Sequence, residues 1–204
     1  MRMWLSWALV ALSLAASAGD LTLNRALFNA ERVPFVLHSG MGEFDTYLAM
    51  NLPFAPMAEL LQQVQLNHSR LLKTRGEAHI TVVTPVEYWH VLRKVGVTIA
   101  EINLIAQESQ IQRAQFRVIC LGKRSKELAG IKESTYYVVV RSPDLLQIRR
   151  KVRDLYLSKR GSRRAFKPEN WLPHITLGYT ERDLHESDGV KKDENSCILP
   201  IQLL

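Results

Sequence analysis

Two histidines 95 residues apart stand in nearly the same setting, His79-Ile80-Thr81-Val82 and His174-Ile175-Thr176-Leu177. In an extended strand successive side chains point to opposite faces, so each copy turns one imidazole and one hydroxyl to one surface and two aliphatic side chains to a core. Imidazole gives or takes a proton near neutrality, and a hydroxyl can donate to developing negative charge on oxygen. If the two strands lie side by side, two histidines and two threonines line one cleft. Such a site suits an anion that needs proton transfer at both ends, and phosphodiester chemistry fits that description. A single His-x-Thr among six histidines would be weak evidence. Two copies with the same flanking aliphatics, each inside a strand-like run and each followed by a turn signal, are far harder to obtain by accident. His38, His68, His90 and His185 belong to no such pair and receive no role.

The segments that must position these residues read as follows. Thr46 to Leu52 is a strand stopped by Pro53, and a helix runs from about Pro56 to Leu72, with Met57, Leu60, Leu61, Val64 and Leu71 near helical spacing. The first motif strand spans Ala78 to Val83. Pro85, harmless in a first turn because its missing donor is not needed there, opens a short helix ended by Gly96. Thr98 to Gln110 reads as a short helix or a helix plus loop. Gln115 to Leu121 is a strand, Gly122 to Ile131 a charged turn, and Ser134 to Arg141 a strand dense in β-branched and aromatic residues. Ser142 and Pro143 form the start of a helix in which Leu145, Ile148, Val152 and Leu155 recur at spacings of three and four. The second motif strand is Pro173 to Tyr179. Glu181 to Asn195 reads as a surface segment and Cys197 to Leu204 as an edge strand interrupted by Pro200. Two similar halves, each with a strand, a helix and a histidine strand, predict a pseudo-symmetric α+β domain.

The chain has 204 residues, enough for one well-cored domain or two small lobes sharing a cleft, and a formal charge of +7. The excess is concentrated: between Arg141 and Lys167 ten Lys/Arg face only Asp144 and Asp154. A basic approach to a cleft favours a polyanion such as RNA or a nucleotide. Arg2, the apolar run Trp4 to Leu14, and Ala16-Ser17-Ala18 before Gly19 have the layout of a secretory signal peptide over residues 1–18. The expected mature protein is secreted, with cleavage near Ala18/Gly19 and no stable membrane insertion afterwards. An uncleaved signal anchor is the lesser alternative. Residues 19–45 read as an extension packed loosely over the domain. Cys120 and Cys197 leave two readings open, one disulfide or two buried thiols. There is no CxxC, no HExxH and no Gly-rich phosphate loop, so no cofactor and no metal are expected. The sequon Asn67-His68-Ser69 is compatible with a secretory route.

Paired His-x-Thr motifs, one per half of a basic α+β chain, resemble the two-histidine (2H) phosphoesterase superfamily. The stretch Phe166-Lys167-Pro168-Glu169-Asn170-Trp171-Leu172-Pro173-His174-Ile175-Thr176 is most similar to the "Swiss army knife" RNA-repair group. The resemblance covers residues 46–204. It implies two lobes with antiparallel sheets lining a central cleft and helices outside, His79 and His174 as catalytic residues, and Thr81 and Thr176 as phosphate-binding hydroxyls. It also implies metal-independent hydrolysis of 2′,3′-cyclic phosphates of nucleotides or RNA ends by a protein that works as a monomer. Arg163 and Arg164 are candidates for phosphate contacts, and Tyr47, Tyr179 and Trp171 for base stacking. Two readings compete: a non-catalytic nucleotide- or RNA-binding module on the same fold, and a secreted interaction protein with accidental motifs.

Overall fold

The computed structural model describes residues 21–40, 42 and 44–204. The leader expected at residues 1–18 lies outside the described residues. Around the first motif, strand β3 (Thr46–Leu52) leads through helix α1 (Ala55–Leu66) into β4 (Ala78–Val83). β4 returns antiparallel to β3, with Asn51 opposite His79 and Ala49 opposite Thr81. The same order recurs around the second motif: β6 (Ile131–Arg141), α4 (Pro143–Ser158), then β7 (His174–Tyr179) antiparallel to β6, with Val139 opposite His174 and Tyr137 opposite Thr176. The alternation sorts the faces as the sequence predicts. Ile80, Val82, Ile175 and Leu177 are buried, while the intervening His and Thr side chains remain partly accessible.

β3 and β4 form a three-stranded sheet with the two-residue β2 (His38–Ser39), in the order β2-β3-β4. β7 and β6 continue through β5 (Arg117–Leu128) to β8 (Cys197–Leu199), in the order β7-β6-β5-β8. Helix α2 (Pro85–Glu87) is opened by a capping box between Thr84 and Glu87 and runs on through a π turn, Tyr88–Leu92, and a 3-10 turn, Arg93–Val95. Gly96 stops it at φ 82°, a conformation glycine adopts at no steric cost. Helix α3 (Ile99–Glu108) has its own capping box, Thr98 with Glu101. In α4, Ser142 accepts from the Leu145 N–H, and Leu145, Ile148, Val152 and Tyr156 make the buried stripe.

Four expectations need correction. Helix α1 ends at Leu66, not Leu72: the Gln65 side chain accepts from the Leu72 N–H at 2.7 Å and donates to the His68 and Arg70 carbonyls, folding the next residues back on the helix end. Leu71 is consequently exposed and Leu72 buried. The charged stretch 122–131 is not a turn but the outer half of a β5–β6 hairpin, closed by Ala129 and Gly130 at φ 50° and 79°. Its charges are solvated, so it carries no apolar alternation to read. The segment 181–195 is not merely surface, since Asp183, Leu184, Val190 and Lys192 are all buried.

The N-terminal extension is the fourth. It does not pack loosely: β1 (Leu21–Leu23) pairs in parallel with β9 (Ile201–Leu203), and Leu23 and Leu27 are fully buried in the common core. Parallel pairing of the two ends is also the exception to the antiparallel sheets expected. Cys120 and Cys197 form a disulfide, with Cα atoms 5.7 Å apart, that fastens β8 to β5. Among the described residues no helix is long and apolar enough to cross a membrane.

Candidate active site

The two histidine strands belong to different sheets, so something must hold them against each other. Arg149 on α4 does much of this. It is fully buried, and such a charge persists only if its donors are satisfied. Its guanidinium donates to the Val82 carbonyl on β4 at 2.6 Å, to both oxygens of Glu87 at 2.7 and 3.0 Å, and to the Pro168 carbonyl before β7 at 2.8 Å. Trp171, also before β7, donates its indole N–H to the Thr81 carbonyl at 2.9 Å. The guanidinium lies 4.9 Å from the Phe166 ring centre and 5.5 Å from that of Trp171, a favourable cation–π arrangement. Each tether joins the first motif strand to the approach to the second.

A small cleft opens between the strands, lined by Arg75, Glu77, His79 and Thr176. The His79 side chain is 12% exposed, and its buried Nδ1 has Glu77 Oε1 at 3.5 Å, beyond a good hydrogen bond. Burial pulls the His79 pKa down to about 4. The Glu77 carboxylate opposes that shift, and Arg75 and His38 add to it. His174 is held differently: its Nδ1 lies 2.8 Å from the Leu172 carbonyl, a contact that requires the proton on Nδ1 and leaves Nε2 as the free lone pair. Its pKa is drawn down to about 3 by burial and then by the Lys192 cation, with Asp183 opposing and His79 adding a smaller depression.

Asp183 and Lys192 form a buried ion pair at 2.8 Å, each side chain 5% exposed. Asp183 also takes the Thr176 hydroxyl at 3.4 Å and has Arg75 at 3.5 Å and His185 at 3.9 Å. Burial pushes its carboxyl up, but Lys192 together with His185 and His174 outweighs burial and the net pKa is lowered. Each histidine has a tyrosine beside it. Tyr47 is 5.7 Å from His79, with His38 stacked on Tyr47 at 4.0 Å and itself 6.3 Å from His79, and Tyr137 meets His174 edge-on at 5.6 Å. Burial raises both phenols to about 12.

Of the residues expected from sequence, His79 and Thr176 line this cleft, Tyr47 lies beside His79, His174 stands two places before Thr176 on β7, and Thr81 follows His79 two places along β4. Trp171 serves as a tether, its half-buried indole donating its N–H to the Thr81 carbonyl. Tyr179 exchanges backbone hydrogen bonds with Lys73 at the far end of β7. Arg163 and Arg164 stand exposed in a turn closed by the Ala165 N–H on the Ser162 carbonyl. The cation that lines the cleft is Arg75 instead. Four of the ten cations of the basic cluster are spent on ion pairs within the fold: Arg149 on Glu87, Arg150 on Glu169, Lys159 on Glu101 and Arg141 on Glu194. Sequence reading missed Arg75, Glu77, His38, Asp183 and Lys192. Glu77, two residues before His79 in period-two spacing, was the one with a readable signal.

The family model described as "Swiss Army Knife, 2H phosphoesterase domain" matches residues 46–185, and the chain belongs to that family. No curated protein and no solved structure gives a significant match. Membership makes the chain a phosphoesterase-type domain.

Proposed function

We propose that the protein hydrolyses 2′,3′-cyclic phosphates of nucleotides or RNA ends, with His79 and His174 as paired acid and base in a pseudo-symmetric two-lobed cleft. The observation that carries this reading is that His79 and Thr176, one from each motif, line one cleft, with His174 two places before Thr176 on the same strand. A binder of anions would need cations there, not two groups able to move protons.

The surroundings divide the roles. His174 presents an unprotonated Nε2, held by the Leu172 carbonyl and disfavoured from charging by Lys192, which suits it to take the proton from the attacking water. His79 faces Glu77 and, further off, Asp183, both of which favour its charged form, so it is the better candidate to protonate the leaving ribose oxygen. Water oxygen bonds to phosphorus as the bond from phosphorus to one ribose oxygen breaks. The proton from water ends on His174, and the His79 proton ends on the freed hydroxyl. Arg75 and Thr81 would stabilise charge on the non-bridging oxygens, joined by Thr176 once its long 3.4 Å bond to Asp183 gives way to the phosphate. Both proton transfers are supplied by the chain, so the reaction is proposed to proceed without metal or cofactor.

Purified protein treated with EDTA and given a panel of 2′,3′-cyclic nucleotides and cyclic-phosphate-ended RNA tests this. Turnover that disappears in His79→Ala and in His174→Ala is expected. Tight binding without turnover would leave the binding-module reading, and activity restored only by a divalent metal would overturn the mechanism.

A further inference from the structure

Lys192 lies beyond the family-matched stretch, in a segment predicted from sequence to be surface, yet it is buried directly behind the second motif. Its ammonium sits on Asp183 at 2.8 Å and over the Tyr137 ring at 5.5 Å, the same ring that meets His174 edge-on. The segment that carries it is fastened at several points. Arg124 pairs with Asp193 at 3.1 Å and also donates to the Lys191 carbonyl at 2.8 Å, and Cys197 ends the segment in the disulfide to Cys120. Cys120, Tyr137 and Val139 form one packed cluster, and Tyr137 and Val139 are the register partners of Thr176 and His174. The staple therefore anchors Lys192 to the floor of the site itself.

A buried lysine is costly unless something requires it, and methionine or leucine would fill the same space. We propose that Lys192, anchored on Asp183 and stapled through Cys197, is a positioning residue of the second half of the site: its cation stands behind His174 and adds to burial in disfavouring a second proton there, while Asp183 orients the Thr176 hydroxyl. The proposal rests on the reading of His174 as the base. Charges facing His174 come from the 183–192 segment as Lys192 and Asp183, and from β4 as His79; Tyr137 on β6 stays neutral at ordinary pH. His79 in turn faces Glu77, Arg75, His38 and Asp183. Lys192 and Asp183 therefore act on His174 in opposite senses, and this gives a sign that a purely structural pair would not show.

The experiment is NMR titration of His174 in isotope-labelled protein, alongside the pH profile of kcat/KM on a cyclic nucleotide. Lys192→Met should raise the His174 pKa by about 1 unit, the scale of a neighbouring charge, and move the acid limb of the profile the same way. Asp183→Asn should move both downward, and Lys192→Arg should keep the wild-type values. The double variant Asp183→Asn/Lys192→Met leaves no unpaired buried charge, so it provides a folded control should Lys192→Met alone not fold, and its His174 should lie between the two single variants. Shifts in the same direction for Lys192→Met and Asp183→Asn, or no shift in any variant, would overturn the proposal. Because the titration of His174 is read without turnover, it separates failure of this inference from failure of the proposed reaction.

Discussion

β4 and β7 carry the same four-residue pattern on the same kind of antiparallel pair, yet the histidines they deliver are held in different ways. His174 has its Nδ1 proton fixed on a backbone carbonyl and a cation behind it; His79 has no such hydrogen bond and looks toward a carboxylate. Repetition in sequence puts the two imidazoles on matching strands, but their difference comes from non-repeated residues, Glu77 on one side and Asp183 with Lys192 on the other. A paired motif thus sets which strands carry the imidazoles. It does not set the charges that surround each of them.

Breaking either side should have the largest effect. His79→Ala and His174→Ala are each expected to lower kcat by about 100- to 10,000-fold, the range of general acid–base catalysis. The double variant should be little worse, because groups acting as a unit lose function non-additively. Steady-state kinetics on a cyclic nucleotide checks this, and a double variant much weaker than either single would show that the two histidines act independently.

The threonines sharpen the comparison. Thr176 lines the cleft directly and Thr81 is set further along β4, so Thr176→Ala should cost about 100-fold in kcat, as for removal of one oxyanion donor, and Thr81→Ala less. An equal loss would mean that the halves contribute alike. Cations should rank in the same spirit: Arg75→Gln should raise KM more than Arg163→Gln with Arg164→Gln combined, and the effect of the latter pair should shrink with added salt.

Both histidines have pKa values below the ordinary 6.5, so in free enzyme both are neutral at pH 7. The pH optimum of kcat/KM, which reports free enzyme, should therefore lie well below 6.5, and that of kcat higher, since a bound phosphate anion favours the charged form of His79. The sign for stability follows from the same values. Between pH 6.5 and about 4 the unfolded chain binds protons that the native histidines refuse, so stability is full above that window and falls as pH drops through it. Thermal melts at stepped pH measure this, and replacing either histidine by Gln should flatten the curve.

The tether offers the smallest effect. Trp171→Phe keeps the ring but leaves the Thr81 carbonyl without its donor, at a cost of about 1–2 kcal/mol, read by denaturant unfolding, with a modest fall in kcat.

Much of this was legible in the chain. The period-two motifs, the Ser142 cap and the Gly96 stop all depend on local geometry, and local geometry is what spacing encodes. Lys192 was illegible because it reads as one lysine in a charged stretch, and only tertiary packing against Tyr137 buries it. Arg149 misled for the opposite reason. It belongs to a basic run that suggests an approach for polyanions, but its neighbours consume it in a dry interior. The 19–45 segment has no periodicity of its own because it borrows its partner from the other end of the chain.

That borrowed partner has a mechanical meaning. β1 and β9 run in parallel at the two ends of the described chain, with Leu21 beside Ile201 and Leu23 beside Leu203. Tension applied between the ends would drag these strands past one another along their length, so their hydrogen bonds must yield together, not one after another as in peeling. The closure at the ends of the chain is loaded in shear, the direction in which a short strand pair resists best.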